Sequence, residues 1–213
     1  MSPTVTRELL SYDFDVPGDY FDVPLGANLV QSSNEWAARL IEEVSSTSED
    51  PLEVAGLADQ LVELRRQLSV QDDPLLTAAV SLRPELYLSI GCLLTSTRVE
   101  LGPDDTPDTF EAMIADSVRR LAPGSRTRAA ETWQGDSPIG TTVGLLHRIE
   151  YRLLEADEGW IELRAMYGVF PTGCNEMVTF TFTVSDLGTF ADMKAETQQI
   201  VDTLRVTTGE LPG

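Results

Sequence analysis

Residues 145–153 (LLHRIEYRL), 161–169 (IELRAMYGV) and 178–184 (VTFTFTV) decide the fold. In the first run Leu145, His147, Ile149, Tyr151 and Leu153 fall on one side of an extended chain. In the second, Ile161, Leu163, Ala165, Tyr167 and Val169 do the same. In the third, Val178, Phe180, Phe182 and Val184 alternate with Thr179, Thr181 and Thr183. Alternation at period two marks strands with one dry face and one wet face. A helical stripe follows, carrying Phe190, Met193, Thr197, Ile200, Val201 and Leu204, and it needs an apolar surface to cover. The runs therefore predict an α+β fold: an antiparallel β-sheet packed by helices on its apolar face.

Outward from this core, Thr106-Pro107-Asp108 opens a helix with a cap and a first-turn proline. Its stripe is Phe110, Met113, Ile114, Val118 and Leu121, and Pro123-Gly124 stops it. A short strand is expected over Ala129–Trp133. Two more strands precede the helix, one with Leu76, Ala78, Val80 and Leu82, the other with Leu86, Leu88, Ile90, Cys92 and Leu94; Arg83-Pro84-Glu85 forms the turn between them. Earlier still, the stripes Trp36/Leu40/Ile41/Val44 and Val54/Leu57/Leu61/Leu64/Leu68 predict a helical hairpin over residues 33–70. Phe14, Val16, Tyr20 and Val23, punctuated by prolines, suggest a short early strand. Residues 1–12 read as flexible, 13–207 as a single domain and 208–213 as a tail. No proline-, serine- or glycine-rich linker divides the chain.

The charge excludes whole classes of partner. The formal net charge is −20. Nucleic acid requires a lysine and arginine footprint, so it is not an expected partner. Anionic lipid surfaces are disfavoured for the same reason. The charge by itself favours a basic protein partner. A single lysine, Lys194, against many arginines suggests a bacterial, high-GC composition. Neither a secretory leader nor a membrane-length apolar run is evident, so the cytoplasm is the expected compartment. Cys92 reads as core and Cys174 as a turn residue, so both are expected as free thiols.

Catalytic equipment is sparse. His147 is the lone histidine, placed between Leu145 and Ile149 on an apolar face, and a packed ring is the simpler reading. Cys174 is the one candidate nucleophile, but nothing in the sequence brings it to His147. Asp104, Asp105 and Asp108 do not follow a calcium-loop spacing, and the histidine and cysteines lack zinc-ligand spacing. No catalytic residue, metal or cofactor is expected.

Binding residues are easier to nominate. Alternation places Arg148, Glu150 and Arg152 on the polar face of one strand, and Glu162 and Arg164 on that of the next. This predicts one arginine-bearing sheet face, extended by Thr179, Thr181 and Thr183, that is either a cross-strand salt-bridge ladder or a surface receiving an acidic or backbone-rich partner. Trp36 and Trp133 are nominated to line a groove for an apolar helix, the alternative being that both rings belong to the core. The acidic outer face of the hairpin is the alternative surface, suited to a basic partner.

The chain as a whole resembles the PsbP-like α/β/α superfamily. The likeness lies in an early Phe14-Asp15-Val16-Pro17-type strand, a central meander, the run Met177–Thr183 and a terminal helix ending Ile200-Val201-Asp202-Thr203-Leu204. That group includes an extrinsic photosystem subunit, a Ran-binding factor, mycobacterial lipoproteins and secretion-effector chaperones. The helical hairpin is longer than the group's pattern, and no lipobox cysteine is present. The resemblance implies a sandwich fold and a non-catalytic protein-binding adaptor or chaperone, related to secretion. The alternative is a carrier holding a small apolar ligand between sheet and helices.

Overall fold

The alternating runs emerge as long paired strands. The structure, a computed structural model, describes residues 7–25, 32–46, 56–71, 73–83, 89–121, 123–152 and 159–210. The elements in chain order are β1 (Arg7–Asp13), β2 (Tyr20–Asp22), α1 (Ser33–Ser46), α2 (Leu57–Ser69), β3 (Thr77–Arg83) and β4 (Ser89–Glu100). Then come α3 (Pro107–Ser117), β5 (Ser125–Asp136), β6 (Gly140–Arg152), β7 (Gly159–Pro171), β8 (Glu176–Val184), α4 (Met193–Val201) and β9 (Arg205–Glu210). Hydrogen-bonded strands follow the order β2-β3-β4-β8-β7-β6-β5, with β1-β9 as a separate pair. Where the sequence suggested one domain, the chain divides into two compact units: Pro17–Thr95, and Met1–Val16 with Ser96–Gly213. The expected turn at Pro84-Glu85, with Leu86 and Leu88, lies outside the described residues, as does Leu153.

The unit Pro17–Thr95 is the helical hairpin on its strands. Helices α1 and α2 pack on each other, and Trp36, Leu40, Val44, Leu57, Leu61 and Leu68 form one core with Val23, Ala78, Val80 and Leu82. This is the stripe read from the sequence. Trp36 is only 3% exposed. Its ring carries the buried Arg65 guanidinium at 6.0 Å, and Arg65 Nε donates to the Pro24 carbonyl at 2.9 Å. The expectation that Trp36 lines an open groove is therefore corrected: a large ring at helical spacing with Leu40 and Val44 went into the core.

In the other unit, β5, β6, β7 and β8 pair antiparallel in succession. The register has Gly144 opposite Tyr167 and His147 opposite Arg164. One helix lies on each face of this sheet. Helix α3 rests Phe110 and Ile114 on Val143 and Leu145, and its Glu111 accepts from Thr132 at 2.9 Å. Its start is fixed by a reciprocal capping box between Thr106 and Thr109, with Pro107 in the first turn. Helix α4 lies on the opposite face. The Tyr167 hydroxyl is 2.7 Å from Thr197 Oγ1, whose own hydrogen goes to the Met193 carbonyl at 2.6 Å, and Trp133 Nε1 donates to Gln198 at 3.3 Å. Both helices were expected on one apolar face. The correction has a visible cause: Val143-Gly144-Leu145-Leu146 and Tyr167-Gly168-Val169-Phe170 are continuous apolar stretches, the mark of strands covered on both sides.

Two glycines let the layers close. A Cβ at Gly168 would run into the Phe110 ring beneath α3, and one at Gly144 would run into the Trp133 indole beneath α4. Met113, expected in the α3 stripe, is 58% exposed. The N-terminus is also corrected. Residues expected to be loose form β1, which pairs with the unforeseen β9 through Arg7↔Glu210 to Asp13↔Arg205. Leu9 is fully buried, its N–H donating to Glu176 Oε2 at 2.9 Å. Helix α4 is correspondingly shorter than the predicted stripe, ending at Val201.

Candidate partner-binding face

The strand ends remote from the glycine contacts carry the charges. On the α4 side of the sheet, Glu150 sits at the centre of a ring of guanidiniums. Arg126 grips it with two bonds, Nε to Oε2 at 3.1 Å and Nη2 to Oε1 at 3.0 Å. Arg152 Nε donates to Oε1 at 2.8 Å, and Arg128 Nε donates to Oε2. The Glu150 side chain is 11% exposed, while those of Arg126, Arg128 and Arg152 are 48%, 47% and 64% exposed. The carboxyl is held down to about 2, chiefly by the Arg152 hydrogen bond against the opposing effect of burial, with Arg126 and Arg128 adding to the pull.

Arg148 lies two residues from Glu150 on the same face, opposite Ala129, and is exposed. It makes no hydrogen bond or ion pair among the described residues. Three guanidiniums thus share one carboxylate, and a fourth, that of Arg148, stands beside them on the same face. One positive charge is neutralised and three are left over, in a chain whose net charge is −20. Strand stability alone does not call for that surplus, because like charges side by side on a sheet are destabilising.

The predicted site residues fall in three places. Arg148 and Arg152 share the face as expected. Arg164 does not: its register opposite His147 puts it on the other side of the sheet, and the single-face expectation is corrected on that point. Alternation within each strand was read properly, but the relative phase of β6 and β7 is set by pairing, which a strand's own sequence does not contain. Arg164 bonds Glu162 at 2.6 Å and stands opposite Thr183, so the threonine row extends the Arg164 side and not the Arg148 side. Trp133 is the second correction. The ring lies edge-on to Tyr167 at 5.6 Å with Lys194 Nζ 4.2 Å above it, so the helix expected from outside is supplied by the chain's own α4.

Three contributors were missed. Arg126 and Arg128 alternate just before the expected short strand, and the signal was their spacing. Strand β5 starts at Ser125 and absorbs one extra residue between Thr127 and Ala129, which lets both arginines reach Glu150. Trp160, 47% exposed, stacks on Tyr151 at 4.8 Å and 12° on the Arg164 side. Its signal was an aromatic residue in the polar phase of β7.

The catalytic candidates are held in other roles. His147 is buried, with Nε2 2.9 Å from Thr127 Oγ1, which itself donates to the Val118 carbonyl. Burial, and then the Arg164 charge, push the imidazole below its usual range. Cys92 and Cys174 are both free thiols, and burial raises the Cys174 thiol, the opposite of nucleophile activation. Asp105 Oδ2 accepts from the Gly102 N–H at 2.7 Å in the turn before α3. No helix among the described residues is long and apolar enough to cross a membrane.

No family model matches the chain, and no curated protein matches it. Among solved structures, the chain is similar to the immunity protein TplEi of the T6SS of Pseudomonas aeruginosa in its apo form. The two are 12% identical with a TM-score of 0.37, over 94% of this chain and 96% of that one.

Proposed function

We propose that this chain is a non-catalytic protein-binding adaptor whose arginine face receives an acidic partner. The observation that carries the reading is the surplus of positive charge around Glu150, set on a sheet edge of an otherwise acidic molecule. Such a patch accelerates encounter with an acidic surface and fixes its orientation. Arginine, tryptophan and tyrosine are the side chains that most often dominate binding energy. The Trp160–Tyr151 stack lies on the opposite side of the sheet, so the arginines carry this face. The PsbP-like resemblance, with its secretion-effector chaperones, agrees with a protein-binding role, and the cytoplasm is the compartment we assign to it.

Arg148 gives the cleanest test, because its side chain holds nothing together inside the protein. Arg148→Glu should leave the melting temperature within a degree or two and weaken capture of the native partner by about tenfold, as expected for charge reversal in a complementary interface. Arg148→Lys should retain capture. Unchanged capture by Arg148→Glu, with loss instead in Glu42→Lys/Glu43→Lys/Glu63→Lys, would move the site to the hairpin and a basic partner. Turnover of a substrate that stops in His147→Ala would overturn the non-catalytic reading.

A further inference from the structure

A cleft of about 260 Å³ opens beside α3, in the unit that also carries the arginine face. Its walls are Val99 at the end of β4, Leu101 just after it, Thr109, Phe110 and Met113 from α3, and Phe170 and Met177 from β7 and β8. Phe110 and Phe170 meet edge to face at 5.7 Å and form the floor. Two apolar side chains of the wall face solvent: Met113 is 58% exposed and Val99 37%. At the lip stands Asp105. Its Oδ2 is engaged by the Gly102 N–H, and Oδ1 has no partner among the described residues.

Carboxylates cluster at the lip. Glu100, Asp104 and Asp108 are exposed around the same turn, and no lining residue is basic. The α3 N-terminus contributes roughly half a positive charge, which the carboxylates of Asp104, Asp105 and Asp108 outweigh. The volume lies below the ~300–1,000 Å³ of sites for drug-sized ligands, so the occupant is fragment-sized. We infer that the cleft is a binding site for a small hydrophobic amine, its aryl or alkyl body against Phe110 and Phe170 and its ammonium at Asp105. The methionines suit this task, since an unbranched thioether adapts to irregular apolar shapes and packs well on aromatic rings.

The test compares two probes with one tail and opposite charges, 4-phenylbutylamine and 4-phenylbutyrate, titrated into the full chain carrying methyl-labelled methionine. The amine should shift the Met113 and Met177 methyl resonances in a saturable way and leave Met193, on the far helix α4, in place. The carboxylate should bind about fivefold more weakly, the effect of one exposed ion pair. Asp105→Asn should narrow the gap between the two probes to less than about twofold, and a gap that stays near about fivefold would overturn the role of Asp105. Equal affinity in the unmutated chain, or saturation that leaves Met113 and Met177 unmoved, would overturn the inference, as would the absence of any shift up to the amine's solubility.

Discussion

Thr127 Oγ1 gives its hydrogen to the Val118 carbonyl, so the proton between Thr127 and His147 belongs to His147 Nε2. Protonating the other nitrogen means charging a buried ring that faces Arg164, which is why the folded imidazole titrates below its usual range. The sign follows directly. Between the ordinary histidine value near 6.5 and the depressed folded value, the unfolded chain binds more protons. Stability is therefore complete above about pH 6.5 and declines as pH falls below it. Urea midpoints from pH 8 to 5 should show this decline in the wild-type chain and a shallower one in His147→Gln; parallel curves would sink the assignment. Glu150 acts lower on the scale, its stabilising share intact above the ordinary carboxylate range and lost as pH falls toward about 2. Gly144 carries a steric role in place of a charge. Gly144→Ala pushes a methyl into the Trp133 indole and should cost about 1–3 kcal/mol in chemical denaturation, the range for overpacking. A neutral result would mean that Trp133 yields freely.

Strand β8 is the element on which the α4 side depends. Phe180 and Phe182 are essentially unexposed; Phe180 meets Phe14 edge to face at 5.0 Å and Phe182 meets Tyr167 at 6.0 Å. Truncating either ring leaves a cavity lined by other rings that cannot collapse. Phe180→Ala and Phe182→Ala should each cost about 3–5 kcal/mol by urea melt, and near-wild-type midpoints would contradict the packing. This much was legible in the alternation of residues 178–184. The second covered face of β6 was present in the continuous apolar run Val143-Gly144-Leu145-Leu146, but which helix covers it was not, because that is decided by the packing of Trp133 and α4. Strands β1 and β9 were also hidden. Their apolar content is slight, and what orders them is pairing between segments almost 200 residues apart, together with the Leu9–Glu176 bond.

At the scale of the molecule, charge is the governing property. A net −20 repels itself in the compact state. Exposed ion pairs such as Arg66–Glu63 and Arg205–Asp13 offset little of this, since surface pairs are worth about 0–1 kcal/mol each. Raising NaCl from roughly 20 to 200 mM shortens the screening length and should raise the melting temperature by about a few degrees. The same salt should weaken partner capture at the arginine face. A melting temperature that falls over this range would show that attraction outweighs repulsion.

What the sequence determined by itself was local. Period-two alternation, helical stripes and caps depend on neighbours within a few residues, and they specified the long strands β6, β7 and β8, the helical hairpin and the start of α3. What only the tertiary structure decided was relative phase. Register between β6 and β7 moved Arg164 away from Arg148 and Arg152, and the extra residue in β5 brought Arg126 and Arg128 to Glu150. The filling of the space above Trp133 by α4 closed the nominated groove, and the packing of α3 left Met113 exposed at the cleft beside it. A strand's own residues fix which side chains share a face. Which faces of two strands coincide is fixed by hydrogen bonds between them, and that information resides in the folded chain.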